Sequence, residues 1–189
     1  MITENLKHIE EIVQKKCFEL NRKRDEITIV AVSKNNSVDA ILEALNFGYK
    51  DFGENKAQEL RDKAEILQDK ILNWHFIGHL QTNKVKYVIK HAKLIHSVDS
   101  FELAEEINKR ALALNKIQSV LIECNISNEE SKFGLQNKDE IFKLAEFIKT
   151  KSNLNLCGLM TMAPFTDDEK VIRRTFRGLK DIFDEMNKF

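Results

Sequence analysis

The sequence predicts an α/β chain of the parallel (β/α) TIM-type barrel class, and three observations point there. Six short apolar runs recur along the 189 residues, each followed by a polar turn and an amphipathic helical stretch. The first run, "ITIVAV" at 27–32, is continuously apolar or β-branched, the pattern of a strand buried on both faces of a parallel sheet. The chemistry-bearing side chains gather just past the runs, where a barrel builds its site. A doubly wound open sheet also brings strand ends together. The first run, however, ends in Ser33-Lys34-Asn35-Asn36, without the glycine-rich turn of a dinucleotide fold.

The elements follow in order. Leu6, Ile9, Ile12, Val13, Phe18 and Leu20 fall at helical spacing between charges, so one extra helix precedes the first strand. The strand runs are "ITIVAVSK", "YKDFGEN", "NWHFIG", "LIHSVDS", "QSVLIECNIS" and "LNLCGLMTMA". Helical stretches are predicted near 37–47, 55–68, 82–91, 100–114, 137–149 and 167–187. Ser37 and Ser100 stand where N-caps belong, and acids at Asp139, Glu140, Asp167, Asp168 and Glu169 suit first turns, where the helix dipole favours them. One proline, six glycines and no low-complexity segment leave no linker, so 1–189 reads as a single domain with about six of a barrel's eight βα units.

Composition narrows the function. Thirty basic and thirty acidic residues cancel, with no basic stripe or RNA-type aromatic motif, which disfavours nucleic acid as a partner. The start lacks the apolar core of a signal peptide, and no stretch reaches bilayer length, so a cytoplasmic location without membrane contact is expected. Cys17, Cys124 and Cys157 match no zinc or CxxC spacing and read as three buried, reduced thiols. No metal site is expected: His75 and His79 are four apart, but Gly78 and the strand-like "WHFI" argue against a helix there, and no acid lies between them as in HExxH.

Lys34 ends a buried strand, and either it is where the strand meets water or the strand presents an amine. An amine withdrawn from water loses its charged form more readily and attacks aldehydes, giving a Schiff base. In "DFGENKAQE", Asn55 is either an N-cap or an amide facing the barrel mouth. Of His75 and His79, one is expected on the strand-end face and one in the loop. Gln81-Thr82-Asn83 opens a helix whose N–H groups suit an anion. The stretch from Asn125 to Lys132, closed by Phe133-Gly134-Leu135, has the length of a binding loop over a barrel mouth and reads equally well as a solvated loop. Met160 and Met162 end the sixth strand as core filler.

Together "AVSK", "FGEN", "WHFIGHLQTNK", "HSVDS", "ECNISNEESKFGL" and "GLMTMAPF", in that order over about residues 27–165, resemble the YggS/PROSC family of pyridoxal phosphate (PLP) homeostasis proteins. The resemblance implies a barrel like the N-terminal domain of alanine racemase, preceded by an extra helix. It implies PLP held as an internal aldimine on Lys34, with Asn55, His75 and Met160 lining the cofactor pocket, and a role in binding, buffering or delivering PLP without assured turnover. It also implies PLP-dependent apoenzymes as recipients, and the chain is expected to be a monomer or weak dimer. Alternatives are a PLP-dependent racemase-like enzyme, an aldolase-like Schiff-base barrel, and a structural protein with an inert lysine.

The chain departs from the family pattern after the sixth helix. Two further βα units, bearing most phosphate donors and an arginine beside the pyridine nitrogen, are not found before "DIFDEMNKF". The domain is therefore expected to be C-terminally incomplete, with an open sheet edge. Weak PLP retention, or a partner chain over that edge, is expected to follow.

Overall fold

The computed structural model describes residues 2–129 and 131–188. Six strands, β1 (Ala31–Val32), β2 (Asp51–Glu54), β3 (Asn73–Phe76), β4 (Ala92–Val98), β5 (Gln118–Glu123) and β6 (Leu154–Met160), form one sheet in chain order. Every neighbouring pair is parallel. Helix α1 (Ile2–Glu19) comes first. The strands are then followed in turn by α2 (Val38–Phe47), α3 (Ala57–Ile66), α4 (Val85–Val88), α5 (Phe101–Ala113), α6 (Lys138–Lys149) and α7 (Glu169–Met186). A doubly wound sheet reverses its strand order at a switch point. This sheet never does, and its unbroken 1-to-6 order is barrel topology.

The core lies between the sheet's outer face and the helices. Phe52, Trp74, Phe76, Ile95, Val120 and Ile122 project outward from the strands into a buried cluster with Ile41, Leu60, Leu103, Ile107, Ile141, Leu144 and Ile148. In α6 the buried positions Ile141, Leu144, Ala145 and Ile148 repeat at the helical period, which turns one stripe inward. Each fully buried side chain of this size contributes about 1.5–3 kcal/mol relative to exposure. The caps sit where the sequence places them: the Ser37 and Ser100 hydroxyls accept from Ala40 and Leu103 N–H. The Asn137 amide oxygen accepts from Asp139 and Glu140 N–H, and Asp168 caps α7.

Four expectations are corrected. The run at 27–32 is not a strand buried on both faces; only Ala31–Val32 is regular, and Val32 is 47% exposed. The reason is position: among the described residues β1 is the sheet's edge and pairs with β2 alone, so its inner face has no opposing wall. Lys34 is accordingly exposed rather than withdrawn from water. Cys157 is also exposed, unlike the buried Cys17 and Cys124, because it lies on β6, the other edge. Finally, the helix expected over 82–91 is a 3-10 turn (Thr82–Lys84) followed by the single turn of α4, too short to gather N–H groups for an anion. Among the described residues β1 and β6 pair with no further strand, so the barrel stands open.

Candidate functional site

The C-terminal ends of the strands share one rim, and the end of β1 is its most elaborately supported part. Ser33-Lys34-Asn35-Asn36 is a turn closed by Asn36 N–H donating to the Ser33 carbonyl at 3.0 Å. Asn35 has φ of 61°, a left-handed conformation that asparagine tolerates better than most side chains. Beneath the turn lies a buried polar cluster. The Lys63 ammonium donates to the Ser33 carbonyl at 2.7 Å, to Glu54 Oε1 at 2.8 Å and to Glu59 Oε1 at 2.8 Å. Ser33 Oγ donates to Glu54 Oε1 at 2.7 Å, and Asn35 N–H donates to Glu59 Oε1 at 2.7 Å. Glu54 is wholly buried, Lys63 only 7% exposed. Burial works to raise the Glu59 pKa, but the hydrogen bonds from Lys63 and the Asn35 N–H outweigh it and hold the carboxyl below its usual range.

The residue after β2 is Asn55, whose side-chain Oδ1 is buried with no hydrogen-bond partner. The chain after β3 passes extremely close to it: a Cβ at Gly78 would stand 2.2 Å from the Asn55 carbonyl oxygen. Only glycine permits that approach. His79 follows, its Nδ1 3.6 Å from Asp99 Oδ2 past β4, and Phe133 stacks on its ring with centroids 3.8 Å apart. Phe133 belongs to the loop after β5, so that loop lies over the rim, as its length suggested. Asn125 braces it from inside, its Nδ2 donating to the Glu129 and Lys132 carbonyls at 2.9 and 3.1 Å. Glu130 in this loop lies outside the described residues.

Glu123, the last residue of β5, is 4% exposed and its Oε2 has no partner. Burial, reinforced by the charge on Asp99, pushes its pKa up to about 7. Burial also raises Asp99, against the opposing pull of His79. Ser97 Oγ, near the end of β4, and Thr161 Oγ1, just past β6, are likewise buried and unpartnered. Met160 ends β6 half-buried, in register with Glu123, its carbonyl accepting from Cys124 N–H at 2.8 Å.

His75 sits inside β3, not in the loop. Its side chain lies opposite Trp74 and Phe76, on the sheet's inner face, where Nδ1 meets His96 Nε2 at 2.8 Å and Nε2 meets Asp51 Oδ1 at 3.0 Å. His79 is the loop histidine at the rim, so the two do not converge on one ion. Among the described residues no group of three or more His, Cys, Asp and Glu is placed to hold a metal. Lys34, Asn55 and Met160 stand at strand ends of one rim, whereas His75 is engaged in the sheet with Asp51 and His96.

Sequence reasoning missed Lys63, Glu54, Glu59 and Glu123, whereas Asp99 was read among the strand-end residues of the shared face. Lys63 had a legible signal: Ala57, Leu60, Ala64 and Leu67 form the apolar stripe of α3, and Lys63 falls within it. A charge at a core-facing position requires partners. Glu123, like Lys34, ends an apolar run.

With that geometry, the comparisons define the class first. Residues 5–188 match the alanine racemase N-terminal domain family. A pyridoxal phosphate homeostasis protein of Aquifex aeolicus is 40% identical over 185 residues, covering 98% of this chain and 81% of that protein. The chain therefore belongs to the pyridoxal phosphate homeostasis protein family. Among solved structures, a Bifidobacterium adolescentis protein superposes with a TM-score of 0.90 at 32% identity, over 97% of this chain and 78% of that one. PipY of Synechococcus elongatus, solved with PLP bound, gives 0.80 at 27% identity, over 94% and 82%. No helix among the described residues is long and apolar enough to cross a membrane.

Proposed function

We propose that this chain binds pyridoxal 5'-phosphate through Lys34 and holds it for delivery to PLP-dependent apoenzymes. The observation that carries this reading is Lys34 itself: an exposed amine at the C-terminal end of β1, on a turn hydrogen-bonded on both of its flanks. When bound, PLP supplies an aldehyde that condenses with a lysine amine, releasing water, to a Schiff base. Relatives named for PLP homeostasis and the PLP-bound PipY structure support the assignment of that cofactor.

The rim offers unpaired polar groups to a ligand. Asn55 Oδ1, Ser97 Oγ, Glu123 Oε2 and Thr161 Oγ1 are buried atoms without protein partners, and such atoms cost stability unless something bonds them. Asn55 and Met160 flank the site in this reading, with Met160 as an apolar wall. His75 contributes through Asp51 and His96 on the inner face, behind the rim. The role is retention and transfer rather than turnover, in a monomer or weak dimer. Three free cysteines accord with a reducing, cytoplasmic setting.

The test is direct. The protein is mixed with PLP, the visible absorbance of the lysine adduct is recorded, and borohydride reduction followed by peptide mapping locates the label. Label on Lys34, lost in Lys34→Ala, is the expected result. Label scattered over exposed lysines, unchanged by Lys34→Ala, rejects the reading.

A further inference from the structure

We infer that Lys63 is a positioning residue for Lys34, acting through Ser33, Glu54 and Glu59; this rests on Lys34 being the PLP-binding amine. The geometry is unusual in one respect. The ammonium grips the carbonyl of residue 33, while Glu59, which it also holds, accepts from the N–H of residue 35. The backbone is thus fixed on either side of Lys34, and none of the cluster's five hydrogen bonds involves the Lys34 side chain. A lysine side chain is long and flexible, so the reach of its amine depends on where its Cα is anchored. Fixing both neighbours removes backbone freedom from the search while leaving the amine unengaged and free to react.

Placement of the cluster supports a purpose beyond holding the fold. Glu54 ends β2 and Lys63 lies on the buried stripe of α3, and both bond Ser33 just past β1, so the first and second βα units are tied together directly under the turn. An apolar residue at 63 would satisfy the helix–sheet packing without desolvating two carboxylates and an ammonium, and buried ion pairs are seldom the more stable choice. The three groups make five bonds, and two of these end on the backbone beside Lys34. Edge strand β1 has only two regular residues to hold its end in place, which makes an external anchor necessary.

The test compares three variants of the full chain with wild type. Lys63→Met alone leaves Glu54 buried without its cation and risks unfolding, so Lys63→Met with Glu54→Gln is the main probe. The amide oxygen introduced by Glu54→Gln still accepts from Ser33 Oγ. Circular dichroism and thermal melting establish that the double variant is folded. PLP titration, the pH profile of the adduct absorbance and borohydride mapping then report on Lys34. The expected result is a folded double variant whose apparent PLP affinity is weaker by about tenfold or more, with label spread to other lysines. The adduct's pH midpoint moves as well, and Lys63→Arg, which keeps a cation with several N–H donors, recovers much of the loss. A folded double variant that matches wild type in affinity, labelling site and pH midpoint overturns the inference, as does a loss that Lys63→Arg fails to reduce. Wild type that takes no label at Lys34 instead overturns the PLP reading on which it rests.

Discussion

His75 and His96 share a 2.8 Å hydrogen bond between neighbouring strands, and the far side of the His75 ring meets Asp51 at 3.0 Å. The bond between His75 Nδ1 and His96 Nε2 carries one proton, so the tautomers of the two rings are coupled. Burial, with His75 close by, pushes the His96 pKa down to about 4. The unfolded chain takes up this proton near the ordinary histidine value, whereas the folded chain refuses it until far lower pH. Stability from this group is therefore lost progressively as pH falls from about 6.5 through about 4, and levels off below. Urea melts at about pH 7 and about pH 5 should show that His96→Gln loses less stability on acidification than wild type.

Glu123 has the opposite sign. Its folded pKa of about 7 lies above the ordinary carboxyl value, so the folded state holds the proton more tightly. Its contribution is fully present below about pH 4.5 and is lost as pH rises through about 7. Glu123→Gln, which imitates the protonated acid, should be more stable than wild type by about 1–3 kcal/mol near pH 8 and nearly equal near pH 4. Chemical denaturation at the two pH values checks both halves.

Gly78→Ala drives a methyl group into the Asn55 carbonyl, where 2.2 Å of separation leaves no room. Because the obstacle is backbone, the strand ends must move apart. A loss of about 2–4 kcal/mol is expected, measured by urea melting, together with weaker PLP retention as Asn55 shifts.

Asn125→Ala removes the two Nδ2 bonds to the Glu129 and Lys132 carbonyls and the bond its Oδ1 accepts from Ser127 Oγ. The expected loss is about 1–3 kcal/mol, with cleavage by a nonspecific protease appearing first between 126 and 133. Mass spectrometry of the early fragments reads this out.

The strand–helix alternation was legible because apolar runs and capping residues such as Ser37 and Ser100 are local signals, and each stands where the pattern puts it. The strand-end positions of Lys34 and Asn55 were legible for the same reason: each directly follows a run. The burial of the first run was not, because periodicity reports a strand's composition and not whether a neighbour covers it. Val32 has the residue type of a core strand and the exposure of an edge. The ion cluster needed tertiary knowledge, since Lys63 and Ser33 are thirty positions apart and meet only when α3 folds back across β1 and β2. His75 was visible as a strand histidine, but its partners Asp51 and His96 come from two other strands.

The sheet order bears on how the chain folds. Among the described residues every strand pairs only with strands adjacent in sequence, so none of these pairings waits for a distant segment to arrive. Loop-closure entropy is met in small successive steps, one βα unit at a time. A chain leaving the ribosome N-terminus first can therefore lay each new strand against the one already docked, and the amine-bearing turn after β1 gains its anchor as soon as α3 has been synthesised and released.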